Sequence, residues 1–349
     1  MSDLSLWESD VKRAFEEKYP ALFKEWDFKE GSVETVLANF PDLKEHALGY
    51  AMGRRVGKNV DDSIEWLRDA TEYPQWFTKG IQNLVGPIEP GLHVIAAHSG
   101  CGKTAFAQNQ VRWFERNKIG CEVLPLEVPA KRAQAWYAGM CEGVPRWKFL
   151  RKDLLTTSEI DRVRKRIEEL REATVVWSSA KNMKAEAVVE RLTLTSMLGI
   201  KVMIVDHLHH VTLEGDTTKG MDELVRRLSE KAGELDMQVI AMAQFRKSLE
   251  RGAKWRVPDI ETIKGASAIV EVSESVMLIN RAVQREKLSQ FKAYLKGQAT
   301  PQEFEASNTM VLSLAKSRNG LPLGTIKLNI EADTIRDCVD WDVINREDQ

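Results

Sequence analysis

One junction, between residues 91 and 117, restricts the fold more than any other feature. The apolar run Leu92-His93-Val94-Ile95-Ala96 passes into Ala97-His98-Ser99-Gly100-Cys101-Gly102-Lys103-Thr104. An amphipathic stretch follows, with Phe106, Val111 and Phe114 on its apolar side. A buried strand, a Gly-rich turn and a helix in immediate succession mark an α/β domain with a phosphate-binding turn. Gly100 and Gly102 let consecutive backbone N–H groups converge on phosphate oxygens. The helix start adds partial positive charge, Lys103 reaches the outer phosphates, and the Thr104 hydroxyl ligates Mg²⁺. The opening position is Ala97 where the general pattern has Gly. The close backbone approach falls at Gly100 and Gly102, so the mechanism survives that departure.

The rest of the chain agrees with this junction. From about residue 81, short apolar runs alternate with longer amphipathic stretches. The runs are Leu92–Ala97, Cys121–Leu126, Thr174–Trp177, Val202–Val205, Val239–Ala243, Ser275–Ile279 and Met310–Leu314; helical stretches lie near 104–117, 129–141, 157–172, 184–197, 220–235 and 263–271. Such alternation predicts a mostly parallel sheet covered on both faces. Met310–Ala315, Gly324–Ile330 and Thr334–Val339 follow one another as strands and predict an antiparallel edge. Residues 1–80 carry helical spacings at Ser5–Tyr19, Ser32–Asn39 and Val60–Ala70, punctuated by Pro20, Gly31, Pro41 and Gly57. The expected organisation is therefore a small helical region over 1–80 and a nucleotide-binding domain over 81–349.

Three further strands end in groups suited to phosphate chemistry. Lys201-Val-Met-Ile-Val-Asp206 ends in a carboxylate that can hold Mg²⁺ through water. Val123-Leu-Pro-Leu-Glu127 follows the phosphate-loop helix, so its strand is expected to neighbour the phosphate-loop strand. Glu127 then serves either as general base for the attacking water or as an acid in the first turn of the helix near Pro129. Val239-Ile-Ala-Met-Ala-Gln244 ends in an amide that can sense the γ-phosphate or close an ordinary strand. Beyond it, Arg246, Lys247, Arg251, Lys254 and Arg256 stand against Glu250 alone, with Gly252 and Pro258 favouring a loop. Such a loop suits the phosphates of a single DNA strand, with Trp255 available for stacking, or is a solvated basic surface. The loop Thr212–Gly220, with Lys219, is a weaker candidate of the same kind.

In order, these stretches resemble the ATPase domain of DnaB-like hexameric replicative helicases and phage primase–helicases. The resemblance rests on Gly91 to Thr104, Leu126-Glu127-Val-Pro, Ile204-Val-Asp206-His-Leu-His, Ile240-Ala-Met-Ala-Gln244-Phe-Arg, Lys264 to Leu278 and Ala315-Lys316-Ser-Arg318-Asn-Gly. Glu274 and non-acidic residues stand where the fifth of these usually carries Asp. The resemblance covers about 80 to 340 and implies a RecA-like P-loop core, ATP and Mg²⁺ as ligands, Glu127 as base and Gln244 as sensor. It also implies that Arg318, assisted by Lys316, reaches a neighbouring subunit's γ-phosphate. The implied assembly is a homo-hexamer translocating on single-stranded DNA, with a separate primase or loader as partner. A linker near 60–80, with Ile64, Trp66, Leu67, Tyr73, Trp76 and Phe77, is expected to pack on a neighbouring subunit or on its own core.

Two other readings share the phosphate loop, Asp206 and Glu127: a RecA- or KaiC-like ATPase that does not unwind DNA, and an ATP-dependent regulatory or loading module. The net charge of −2 gives no global basic field, so any nucleic-acid contact must be local. Cys101, Cys121, Cys141 and Cys338 have no CxxC or zinc spacing, and residues 1–80 hold no zinc-ligand cluster. Reduced thiols, no secretory start and no long apolar run lead to the expectation of a cytoplasmic protein that spans no membrane.

Overall fold

The computed structural model describes residues 3–20, 22, 33–44, 47, 73–179, 181–213, 215–245, 260–263, 266–281, 309–338 and 344–345. The chain forms two compact units, Met1–Glu72 and Tyr73–Gln349. In the first, helices α1 (Asp3–Lys18) and α2 (Val33–Asn39) contribute to a small cluster of Val11, Ala14, Phe15, Val36, Leu43 and Ala47. Phe15, Tyr19 and Phe40 close that cluster through ring contacts, with centroids 5.1 Å apart for both pairs involving Phe40.

The second unit begins earlier than the sequence pattern suggests. Trp76 is 2% exposed, and helix α3 (Lys79–Val85) buries Ile81, Leu84 and Val85 in the same cluster. Phe77 meets Phe106 edge-on at 4.9 Å. Trp76 and Phe77 thus pack on their own α/β core. The rest of the expected linker up to residue 72 lies outside the described residues, as do Val60–Ala70.

Among the described residues, ten strands form one sheet. In chain order they are β1 (Gly91–Ala97), β2 (Cys121–Pro125), β3 (Val175–Trp177), β4 (Val202–Asp206), β5 (Gln238–Gln244), β6 (Ser275–Asn280), β7 (Thr309–Ser317), β8 (Gly324–Glu331), β9 (Thr334–Asp337) and β10 (Ile344–Asn345). Their order is β10-β8-β7-β6-β1-β5-β4-β2-β3, with β9 also paired to β8. β1 to β6 run parallel; β7 to β10 pair antiparallel. This is the mostly parallel α/β sheet with an antiparallel edge that the strand pattern predicts, and it agrees with the RecA-like core that the resemblance implies.

The helices between the strands are α4 (Lys103–Arg116), α5 (Ala130–Cys141), α6 (Thr157–Glu169), α7 (Ala185–Met197), α8 (Thr217–Glu234) and α9 (Ala266–Val272). Every β1 residue is buried, because successive side chains face opposite layers. Ile95 and Ala97 join Phe106, Val111 and Phe114 of α4. Leu92, Val94 and Ala96 join residues of α7, α8 and α9. Burying each large aliphatic or aromatic side chain stabilises by roughly 1.5–3 kcal/mol, so β1 is clamped from both sides and its carboxyl end is held firmly.

Two expectations change here. β2 does not neighbour β1; β5 and β4 lie between them. Connectivity places a strand after its crossover helix without specifying how many later strands are inserted beside β1. The Thr212–Gly220 loop is also shorter than expected. The Asp216 carboxylate accepts from the N–H groups of Thr218 and Lys219, which starts α8 at Thr217 and puts Lys219 in its first turn.

Candidate active site

The carboxyl ends of β1, β2, β4 and β5 meet on one side of the sheet, the usual place for ligands in open α/β sheets. A cleft of about 580 Å³ opens there, lined by Ser99, Gly100, Gly102, Lys103, Thr104, Glu127, His207 and Gln244 among others. That volume lies within the ordinary range for ligand sites.

The turn after β1 has the backbone that its glycines allow. Gly100 and Gly102 have φ of 81° and 102°. A Cβ on Gly100 would meet nothing within 4 Å, whereas one on Gly102 would stand 2.8 Å from the Met310 side chain. Gly102 caps α4 without any side-chain hydrogen bond. α6, by contrast, has a full capping box from Thr156 and Glu159. The first N–H groups of α4 are therefore not taken by a side-chain cap and suit an incoming anion. The flanking residues anchor the turn: Cys101 is buried, and the His98 ring packs edge-on against Phe245 at 4.9 Å.

Lys103 is 7% exposed and donates from Nζ to the carbonyls of Ala97 at 3.0 Å and His98 at 3.2 Å. Burial pushes its pKa down, opposed by Asp206, Cys101 and Glu127. Asp206, 8% exposed, has its carboxyl raised above the usual range, chiefly by burial and further by Glu127. A hydrogen bond from Thr104 and the charges of Lys103 and Arg146 act the other way. Asp206 Oδ1 has no hydrogen-bond partner. A buried carboxylate oxygen left over beside a hydroxyl fits a hard divalent cation, so Thr104 and Asp206 suit Mg²⁺.

Glu127 reaches this edge although β2 is remote from β1. Pro125 pairs with Asp206 in the sheet, and the Leu126 N–H donates to the Asp206 carbonyl at 2.8 Å. Its carboxylate lies 3.9 Å from His207 Nε2. At the end of β5, the Gln244 N–H donates to His209 Nδ1 at 3.2 Å.

Lys316 and Arg318 do not join this cleft. Lys316 lies in the last paired stretch of β7 and Arg318 just beyond it, at the opposite end of the strands, where Ser317 pairs with Ser275 and Ser275 with His93. Lys316 Nζ donates to the carbonyls of Glu271 at 3.0 Å and Ser273 at 2.6 Å. Arg318 donates to Glu274 Oε1 at 2.8 Å and to the carbonyls of Glu271 and Val272. From His93 at this level to Ala97 is about 13 Å of strand at roughly 3.3 Å per residue. Arg246, Lys247, Arg251, Lys254, Trp255 and Arg256 lie outside the described residues.

Two cleft cations escape the sequence reading. Arg281 follows β6, is 8% exposed, and has its pKa lowered chiefly by burial. Arg146 stands over the Trp136 ring at 4.8 Å, with its Nε 3.8 Å from Asp333. A basic residue just past an apolar strand is the signal for Arg281; nothing in the spacing around Arg146 marks it.

Residues 78–336 match the family described as the DnaB-like helicase C terminal domain. Over 280 residues the chain is 26% identical to the replicative DNA helicase DnaB of Geobacillus stearothermophilus, covering 76% of this chain and 57% of that protein. It is 24% identical over 278 residues to the replicative DNA helicase DnaC of Bacillus subtilis strain 168, with the same coverage. The match thus spans 57% of the length of these curated relatives. Among solved structures, one described as an ATPase domain aligns with a TM-score of 0.63 at 19% identity, over 81% of this chain and 98% of that one. A DnaB-like replicative helicase, solved in connection with its interactions with primase, aligns with a TM-score of 0.65 at 15% identity, over 96% and 100% of the two chains. Given a match over most of its length, this chain belongs to the DnaB-like helicase family.

Proposed function

We propose that the chain is the ATP-hydrolysing motor of a ring-forming replicative DNA helicase that translocates on single-stranded DNA. The observation that carries this reading is the convergence of Lys103, Thr104, Glu127 and Gln244 on one cleft, with buried Asp206 hydrogen-bonded to Thr104.

The backbone N–H groups from Gly100 to Thr104 hold the β- and γ-phosphates, and Lys103 turns from the loop carbonyls to the phosphate oxygens. Thr104 and Asp206 would hold Mg²⁺, which would supply neutralising charge at the terminal phosphate. Glu127 orients a water and takes its proton. Gln244 senses the γ-phosphate and passes its loss to the 246–256 segment, whose cations grip DNA phosphates.

Lys316 and Arg318 act on a neighbour. Their position at the opposite end of the strands, about 13 Å from the level of Ala97 at roughly 3.3 Å per residue, suits a site between subunits. This supports a homo-hexamer, with Arg318 leaving Glu274 to stabilise the neighbour's transition state. A separate primase or loader is the expected partner. The solved relative's description, with its interactions with primase, supports that class of partner. No helix among the described residues is long and apolar enough to cross a membrane.

ATP turnover with and without single-stranded DNA, together with native mass, tests the proposal. Stimulation by DNA in a hexamer is expected. Turnover that no DNA stimulates contradicts the motor and favours a regulatory or loading ATPase.

A further inference from the structure

Beside the phosphate cradle, the same sheet edge gathers a second set of donors. Glu127, His207 and His210 each present one ligand atom, all within 4.8 Å of one another. The backbone explains why. The hydrogen bond from Leu126 to Asp206 seats Glu127 next to His207. After Asp206 the chain makes a 3₁₀ turn over Leu208–His210, in which the His210 N–H donates to the His207 carbonyl at 3.0 Å. Side chains three apart in such a turn eclipse, so the rings of His207 and His210 lie 4.4 Å apart between centroids. His209 turns the other way and accepts from Gln244.

The separations suit coordination better than direct bonding. His207 Nε2 and Glu127 Oε2 are 3.9 Å apart, too far for a hydrogen bond. Two ligands held about 2.1 Å from a tetrahedral zinc ion stand roughly 3.4 Å apart, which a small side-chain rotation reaches. His207 is 5% exposed and fixes one ligand. Glu127, with its side chain 55% exposed, and the exposed His210 can close on an ion. Two imidazoles and one carboxylate, with the remaining positions open to the cleft, favour a zinc-class cation over Mg²⁺, which prefers oxygen ligands and retained waters.

We propose that Glu127, His207 and His210 form a binding site for a zinc-class divalent cation, and that the bound ion withdraws Glu127 from ATP hydrolysis. The second half rests on the proposed base role of Glu127; capture of the ion does not. A carboxylate oxygen that ligates zinc no longer offers its lone pair to the attacking water. The filled site is therefore an off-state, reversed by removing the metal.

The test uses the full chain without nucleotide, titrated with Zn²⁺ by calorimetry and with Co²⁺ by visible absorption. One ion per chain is expected, with a tetrahedral Co²⁺ spectrum lacking the thiolate charge-transfer band. His210→Ala and Glu127→Gln should each weaken binding at least about tenfold, whereas Lys103→Ala, which removes no ligand, should bind as the parent does. Unchanged affinity in His210→Ala, or a thiolate band from a cysteine site, overturns the assignment. Under Mg·ATP turnover, Zn²⁺ should inhibit in step with occupancy, a zinc-selective chelator should restore the rate, and His210→Ala should shift the inhibition curve by the same factor as the affinity. Stoichiometric zinc binding without inhibition overturns the off-state. Undiminished turnover in Glu127→Gln, with zinc binding to the parent chain intact, contradicts the base reading and leaves the metal site standing.

Discussion

The two ends of the central parallel strands treat their polar groups in opposite ways. At the amino end the charged groups and the buried imidazole are satisfied, and Gln238 Oε1 at the start of β5 stands as an exception without a partner. Buried His93 contacts the Glu89 carbonyl through Nε2 at 2.8 Å and Ser275 Oγ through Nδ1 at 2.9 Å. The carbonyl can only accept, so Nε2 carries the proton and Nδ1 accepts from the serine. Glu274 holds Arg318, and Lys316 is tied to backbone carbonyls. At the carboxyl end Asp206 keeps an unpartnered oxygen, Lys103 rests on loop carbonyls, and α4 starts without a side-chain cap. Buried Glu122, on the neighbouring strand, sharpens the contrast. Its carboxylate accepts from Ser178, Arg191 and Thr195. Unmet bonding capacity gathers where a charged ligand is expected to arrive, and the closed end provides rigidity.

The largest effect should come from Arg318, which lies at the closed end of one chain and is proposed to serve the open end of the next. Arg318→Ala should slow turnover by roughly 10³–10⁵-fold. Mixing it with Glu127→Gln subunits should restore part of the rate. Strictly additive loss in the mixtures breaks the idea that Arg318 acts between subunits.

At the open end, Lys103→Ala should reduce turnover at least about 10²–10³-fold with the fold intact. Near-normal hydrolysis in a variant with unchanged circular dichroism would refute the phosphate-loop assignment.

The closed end should reveal itself in stability. Burial depresses the His93 pKa from 6.5 to about 4. The unfolded chain then takes up a proton that the folded chain refuses as pH falls from about 6.5 toward 4. Stability is fully present above that window and falls by on the order of 3 kcal/mol across it. The melting midpoint should drop correspondingly, and His93→Gln should flatten the dependence; an unchanged slope in the variant assigns the loss to other groups.

The smallest effect should have the opposite sign. Asp206→Asn should abolish Mg²⁺-dependent turnover yet leave stability equal or raised by about 1 kcal/mol, because it removes a buried charge with an unmatched oxygen. Glu122→Gln, which breaks a satisfied network, should destabilise. If both variants destabilise equally, the contrast between the two ends fails.

Much of this arrangement is legible in the sequence because it is local. A strand, its turn and the following helix occupy one continuous stretch, so β1, Gly100 to Thr104 and α4 are visible in the residue pattern. So are Asp206 and Gln244, which end apolar runs. Strand order is not local, and the expected adjacency of β2 and β1 fails because two later strands insert between them. The placement of Glu127 depends on the bond from Leu126 to Asp206, which no spacing reveals. Trp76 and Phe77 carry the same apolar signal whether they face their own core or another subunit. The facing of His207 and His210 depends on a 3₁₀ turn, whose three-residue period is invisible over so short a run.

The placement of a non-hydrolysable ATP analogue with Mg²⁺ in an assembled oligomer tests the central claim most directly. The expected result has the phosphates on the amides of Gly100 to Thr104, the cation between Thr104 and Asp206, and a neighbour's Arg318 at the terminal phosphate. An analogue bound elsewhere, with Lys103 still hydrogen-bonded to the Ala97 and His98 carbonyls, would contradict it.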